Sequence, residues 1–119
     1  MDIFSAVKRN DVATVQNFVA NGADINAKDA NGMTPLMLAV DYENVKLVQF
    51  LLRSRVHVDE VDRYGQTALM LAAGRGNMQI VKLLIIAKAN RKIVSRSRAT
   101  AFDFANENGY TEIAKLLGS

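Results

Sequence analysis

The sequence predicts an all-α protein, a solenoid of four stacked helix pairs, and three observations lead to this fold class. The stretch 62–84 recurs in outline 33 residues earlier, and its pattern continues one period further in each direction. A fixed period of this size is typical of repeat proteins. Within each unit apolar residues are spaced as on helices, and helix-capping residues precede them. We therefore read one domain with repeats at about 1–28, 29–61, 62–94 and 95–119.

The first helix of each repeat is best defined in the second copy. Thr34 can cap it with its hydroxyl, and Pro35 occupies the first helical position, where no backbone N–H is needed. Leu36 then begins a run of core-facing residues. An alanine recurs at one place in every first helix and would let paired helices approach closely. These residues are Ala6, Ala39, Ala72 and Ala105.

The second helix of each repeat begins after a residue that is a good N-cap, namely Asp11, Asn44 or Asn77. Apolar residues follow at helical spacing. In the two inner repeats these are Val48, Leu51 and Leu52, then Val81, Leu84 and Ile85.

Left-handed backbone is expected where each second helix ends. Gly22 suits such a C-terminal cap, but Arg55 and Lys88 occupy its place in the next two repeats. A side chain there costs roughly 1 kcal/mol, so replacing either residue by glycine is expected to stabilise the fold. Glu43 similarly stands where other repeats have glycine.

Four segments carry the pattern of a known family. Residues 32–40 (GMTPLMLAV) and 65–73 (GQTALMLAA) resemble the G-x-TPLH-x-AA core of the ankyrin repeat. Residues 21–27 (NGADINA) resemble its GADVNA connection, and 80–84 (IVKLL) its IVxLLL helix. The resemblance implies helix pairs stacked side by side, with β-hairpin-like fingers projecting at right angles.

Two departures from the family pattern affect the expected structure. Met37 and Met70 replace its histidine, which implies that a polar network between fingers is lost and that methionine packing fills the space. The connection 90–99 lacks the family's Asp and Gly, so its sequence supports a regular finger least.

The first and last repeats replace apolar residues of the inner copies by polar ones. A terminal repeat needs a polar outer face because it has no neighbour on one side. We therefore interpret the chain as a complete four-repeat module, with an N-terminal piece of a longer array as the alternative. The polar replacements are Ser5, Thr14 and Asn17 at one end and Asp103, Asn106 and Thr111 at the other.

The composition is that of a soluble globular protein, with 50% hydrophobic and 23% charged residues. There is no cysteine, no signal peptide and no apolar run long enough to span a bilayer. We expect a cytoplasmic monomer, with the nucleus as an alternative location. Residues 1–60 hold six basic and eight acidic residues (−2), and 61–119 hold nine and four (+5). This asymmetry would steer an acidic partner toward the C-terminal half.

The residues of an enzyme, a metal site or a cofactor site are not found in the sequence. The single histidine, His57, falls in a connection, where we expect a solvated side chain. Asp59 and Glu60 are expected to form a solvated rim. Gly74 and Gly76 serve a turn between helices and do not follow a strand, so they do not form a phosphate loop. We predict no catalytic residue, no metal and no cofactor.

The resemblance implies that a protein partner binds the fingertips and the exposed side of the first helices, which we call the concave surface. Aromatic and arginine side chains are frequent in such interfaces. The partner itself is not identified by the sequence. Carried over by position, the candidate contact residues are Arg9, Asn31, Met33, Asp41, Tyr42, Arg63, Tyr64, Gln66, Arg75 and Arg96.

The predicted function is a non-catalytic protein–protein interaction module, an adaptor or an inhibitor. The alternative is a nucleic acid or another anionic partner, bound by the basic run of Arg91, Lys92, Arg96 and Arg98. That run lacks interleaved aromatic residues and belongs to no helix, so nucleic acid is the less favoured ligand. Ile86 is expected to form an exposed apolar spot, too small by itself to define an interface.

Overall fold

This computed structural model describes residues 2–118, which contain eight helices. No β-strand occurs between those residues, so the predicted all-α class is confirmed. The helices are α1 (Ile3–Lys8), α2 (Val12–Ala20), α3 (Pro35–Asp41), α4 (Val45–Arg53), α5 (Ala68–Arg75), α6 (Met78–Ile86), α7 (Ala101–Glu107) and α8 (Thr111–Leu117).

The helices stack in two layers along an elongated body of 41 × 25 × 22 Å. The first helices α1, α3, α5 and α7 pack against one another in chain order, and each also packs against the second helix of its own repeat. The four alanines at the repeated place in the first helices are fully buried, as expected for closely approaching helices. None of the helices within 2–118 is long and apolar enough to cross a membrane.

Met37 and Met70 lie in the core, each with 1% of its surface exposed. The Sδ atom of Met70 accepts a weak hydrogen bond from the N–H of Thr67 at 3.5 Å. These methionines therefore fill space at the start of the first helices, as we expected from their replacement of the family's histidine.

The helix caps follow the sequence pattern with one exception. Thr34 accepts a bond from the N–H of Met37, and Asp11 and Asn77 each cap their second helices in the same way. Asn44 stands at the N-cap of α4, as predicted, but its side chain makes no capping bond there. Its Nδ2 instead donates to the backbone oxygen of Val7 at 3.1 Å, which links the first two repeats.

The left-handed positions were predicted correctly. Arg55 and Lys88 have φ of 61° and 68°, and Glu43 has 57°. Asn10, with φ of 55°, occupies the place of Glu43 in the first repeat. Residues other than glycine thus adopt a strained, left-handed backbone conformation at several helix ends.

The first two fingers are turns closed by an aspartate. In each, the N–H of the aspartate donates to the backbone oxygen four residues later, Asp29 to Met33 at 2.9 Å and Asp62 to Gln66 at 3.0 Å. The Oδ1 atom of each aspartate accepts two backbone N–H groups of its own turn. The carboxylate therefore holds the fingertip in one conformation.

The third finger keeps this shape without the aspartate. The N–H of Ser95 donates to the oxygen of Ala99 at 2.9 Å, and the Ser95 hydroxyl accepts the N–H of Ala99 at 3.3 Å. Adjacent fingers are joined by backbone bonds, from Arg63 N to Asn31 O and from Arg96 N to Tyr64 O, both 3.0 Å long. The third finger, in the connection 90–99, therefore stacks on the second, although its sequence supported a regular finger least.

The loss of the finger glycine also has a structural explanation. A Cβ at Gly32 would lie 3.0 Å from the N atom of Arg63, and one at Gly65 would lie 3.1 Å from that of Arg96. Arg98 occupies the equivalent place with φ of 65°, and within residues 2–118 no further finger packs on it. The side chain of Arg98 is exposed, in contrast to the crowded Cβ positions at Gly32 and Gly65.

The polar residues of the end repeats lie largely at the surface. Ser5, Asn17, Asn106 and Thr111 are exposed, as predicted. Asp103 is half-buried, and its Oδ2 accepts the N–H of Thr100 at 2.9 Å to close the cap of α7.

Candidate functional site

Two exposed tyrosines mark the concave surface. Tyr64 lies at the tip of the second finger with 53% of its surface exposed, and Tyr42 lies at the C-cap of α3 with 49% exposed. The first helices run from the fingers toward these C-caps, so the two tyrosines lie at opposite ends of the helix layer. Both lie where the sequence predicted contact residues.

Arg63 and Tyr64 form one preorganised pair at the second fingertip. The Arg63 guanidinium carbon lies 4.9 Å from the centroid of the Tyr64 ring, and its Nη2 donates to the Tyr64 hydroxyl at 2.8 Å. Their backbone N–H groups are held by the oxygen of Asn31 and by the carboxylate of Asp62. Both side chains therefore project from a fixed backbone, which reduces the entropy lost when a partner binds.

Asp41 and Arg75 were predicted as separate contact residues, but they form an ion pair with each other. The Nη2 atom of Arg75 lies 3.1 Å from Oδ1 of Asp41, and its Nε lies 3.3 Å from the same oxygen. The pair joins the ends of α3 and α5. Because both side chains remain accessible to water, it contributes little to stability.

Asn31, Met33 and Gln66 lie around the first two fingertips with different exposure. Asn31 is exposed, and its backbone is fixed by Asp29 and Arg63. Met33 and Gln66 are half-buried, and Met33 packs against the core. Their contact area for a partner is therefore smaller than the sequence pattern implied.

Arg9 and Arg96 extend the candidate surface to the outer repeats. Arg9 is exposed at the C-cap of α1, the place that Tyr42 and Arg75 hold in the next repeats. Arg96 is exposed on the third finger. The ten predicted residues thus form two rows, one along the fingertips and one along the ends of the first helices.

The connection around Glu60 is more ordered than the sequence suggested. Glu60 Oε1 lies 3.2 Å from Nζ of Lys28, which also donates to the oxygen of Val61 at 2.8 Å. The hydrogen bond from Lys28, with a smaller contribution from His57, lowers the pKa of Glu60. Asp59 accepts the N–H of Asn90 at 2.8 Å. These acids therefore join neighbouring repeats and are not merely a solvated rim.

His57 lies in this connection as predicted, with an exposed ring. The backbone N–H of His57 donates to Oδ1 of Asn26 at 2.8 Å, and its ring atom Nδ1 lies 3.3 Å from Oε2 of Glu60. Among the described residues, 2–118, no three histidine, aspartate or glutamate side chains come together as metal ligands would.

The basic residues of the last connection do not form one free cationic patch. Nη1 of Arg91 donates to the backbone oxygens of Leu116 and Leu117 at 3.2 and 3.3 Å, which ties it to α8. Lys92, Arg96 and Arg98 are exposed, and none of them lies on a helix.

The sequence analysis did not predict the polar bonds between the ends of the first helices in adjacent repeats. Nδ2 of Asn77 donates to Oε1 of Glu43 at 3.1 Å, and Nδ2 of Asn108 donates to the oxygen of Gly74 at 2.9 Å. Both pairs are 34 residues apart. For Glu43 and Asn77, two polar side chains one residue more than a period apart were the signal in the sequence. The bond from Asn108 had no such signal, because it reaches a backbone oxygen.

This protein is a helical-repeat protein of the solenoid class, because its helix pairs and fingers are stacked. Most bonds between repeats join residues that lie about one repeat apart in the sequence. The sequence profile of a family described as ankyrin repeats (3 copies) matches residues 3–93 and, in an overlapping match, residues 56–119. The chain belongs to the ankyrin-repeat family, whose repeats generally serve protein–protein interaction and are typically non-catalytic. Comparison with curated proteins found no match.

Proposed function

We propose that this protein is a non-catalytic adaptor or inhibitor that binds a protein partner through its concave surface. The observation that carries the proposal is the second fingertip, where Tyr64 is exposed while the neighbouring backbone and Arg63 hold it in place. A tyrosine buries a large area at little entropic cost, and such residues dominate binding energy at interfaces.

The charges of the surface favour a partner with an acidic segment. Arg63, Arg75 and Arg96 lie on the concave surface within the C-terminal half, which carries a net charge of +5. Of these three, Arg75 is already paired with Asp41. Arg63 and Arg96 are therefore the cations that we expect to meet partner carboxylates and to speed association.

The test is partner capture with variants that fold equally well. The fingertip variant carries Arg63→Ala and Tyr64→Ala, and the control carries Gln16→Ala and Lys115→Ala, two exposed places on the second helices. With equal melting midpoints, we expect the control to retain the wild-type partner and the fingertip variant to lose it. Identical partner sets for both variants would exclude the concave surface as the main binding site.

The same capture separates a protein partner from the alternative ligand. Nucleic acid bound through phosphate contacts dissociates steeply as salt rises and disappears after nuclease treatment. We expect the captured partner to survive nuclease treatment and to depend less steeply on salt than a nucleic acid would.

A further inference from the structure

The outer sides of α4 and α6 form an apolar groove that the concave surface does not use. Its volume is about 340 Å³, and its walls come only from α4, α6 and the residue after α6. The groove is therefore open along its outer side. The lining residues are Gln49, Leu52, Arg53, Leu83, Ile86 and Ala87.

Ile86 in this groove is not required by the fold. It is 77% exposed and lies outside the hydrophobic core. The equivalent place holds Ala20 in the first repeat and Arg53 in the second. The repeat thus tolerates a small or a charged residue there, while the third repeat presents an isoleucine to solvent beside the half-buried Leu52 and Leu83.

The charges beside the groove have one sign. The helices α4 and α6 contain Lys46, Arg53 and Lys82 and no acidic residue. All three cations are exposed, and within residues 2–118 none forms an ion pair. Lys82 lies one helical turn before Ile86 on the same face, and Lys46 lies two turns before Arg53. The groove therefore combines an apolar floor with a cationic rim.

We infer that this groove binds an acidic amphipathic helix from a partner protein. Apolar side chains of that helix would insert between Leu52, Leu83 and Ile86, and its carboxylates would face Arg53 and Lys82. A second copy of the chain fits less well, because a two-fold contact would place these cations opposite one another. The groove lies in the layer of second helices, so this site is separate from the concave surface and does not depend on it.

The experiment uses a fluorescein-labelled synthetic peptide of about four helical turns, with leucines along one face and glutamates elsewhere. Two control peptides carry lysine in place of glutamate, or the same residues in scrambled order. Fluorescence anisotropy at low salt measures binding to the full chain. We expect saturable binding of the acidic peptide only.

Variants then assign this binding to the groove. Ile86→Ala, the residue of the first repeat, is expected to weaken binding at least about tenfold without changing the melting midpoint. Arg53→Gln with Lys82→Gln is expected to weaken it and to flatten its salt dependence. Tyr64→Ala should leave it unchanged, so failure of the concave-surface proposal would be seen separately.

The inference is overturned if the wild type shows no saturable binding, or if Ile86→Ala binds as tightly. Equal binding of the lysine or scrambled peptide would overturn it as well. So would a dimer, seen by sedimentation, that Ile86→Ala dissolves, because a second copy would then occupy the groove.

Discussion

At the scale of single residues, positive φ values reveal where the backbone is strained. Asn10, Glu43, Arg55, Lys88 and Arg98 have φ between 55° and 68°, a region that glycine adopts without cost. Glu43 is partly compensated, because it accepts a bond from Asn77. Arg55 and Lys88 are exposed and have no side-chain bond within residues 2–118 that would offset the strain.

Replacing Arg55 or Lys88 by glycine is therefore expected to stabilise the protein by up to about 1 kcal/mol each. The relief of strain outweighs the greater freedom of glycine in the unfolded chain. Thermal melts measure the effect. Glu43→Gly is the matched control and should gain less, because it also loses the bond to Asn77. Lower midpoints for both Arg55→Gly and Lys88→Gly would contradict the assignment of strain.

Gly76 and Gly109 provide a second residue-scale prediction. Both have positive φ, 74° and 81°, but a Cβ at Gly76 would lie 2.5 Å from the Tyr110 ring, while one at Gly109 would have no neighbour within 4 Å. Gly109→Ala should cost about 1 kcal/mol of unfolding free energy, and Gly76→Ala roughly 1–3 kcal/mol more. Denaturant titration of both variants measures the difference. Equal losses would show that the ring moves away freely.

The sequence predicted the left-handed backbone at Arg55 and Lys88 but not the crowding of Gly76 by Tyr110. The place of Gly22 in the repeat identified Arg55 and Lys88 as left-handed, because backbone conformation follows position in the repeat. The contact of Tyr110 with Gly76 was not predictable. Tyr110 stands where the inner repeats have asparagine, so the repeats offered no precedent for its ring.

At the scale of helices and fingers, a side-chain cap marks the start of six of the eight helices within residues 2–118. Asp11 caps α2, and the hydrogen bond from the Thr14 hydroxyl, followed by that from the Thr14 N–H, lowers its pKa below the ordinary 3.8. A carboxylate whose pKa is lower in the folded state stabilises the fold above its ordinary pKa. That stability is lost as pH falls through the folded value.

We therefore predict that Asp11→Asn lessens the loss of thermal stability between about pH 5 and pH 3. Asparagine can still cap the helix, as Asn77 caps α6, but it does not titrate. Melting midpoints across this pH range measure the effect. Parallel curves for wild type and variant would show that the Asp11 cap does not contribute to acid sensitivity.

The first two fingers were easier to predict from the sequence than the third. The family resemblance implied the fingers, and in the first two of them the structure shows that Asp29 and Asp62 each accept two backbone N–H groups. The third turn was not predictable from Ser95, which bonds only one backbone N–H of its turn. Its shape depends on the backbone bond to Tyr64 of the neighbouring finger, a contact between repeats.

At the scale of the whole molecule, the stack presents two faces with different chemistry. The concave surface offers Arg63, Tyr64 and Arg96 on fingertips joined by backbone hydrogen bonds, with Tyr42 at the end of α3. The layer of second helices offers the groove beside Ile86. The repeat period predicted which places vary and therefore which could bind. It did not predict that Asp41 and Arg75 pair with each other, because that contact joins different repeats.

Binding through the concave surface is tested most directly by amide hydrogen exchange of the full chain, free and in complex with its captured protein partner. We predict slower exchange in the complex at the fingertips, residues 29–33, 62–66 and 95–99, and at the ends of α3 and α5, with little change in α2, α4, α6 and α8. Protection confined to the second helices, with unchanged fingertips, would contradict binding through the concave surface.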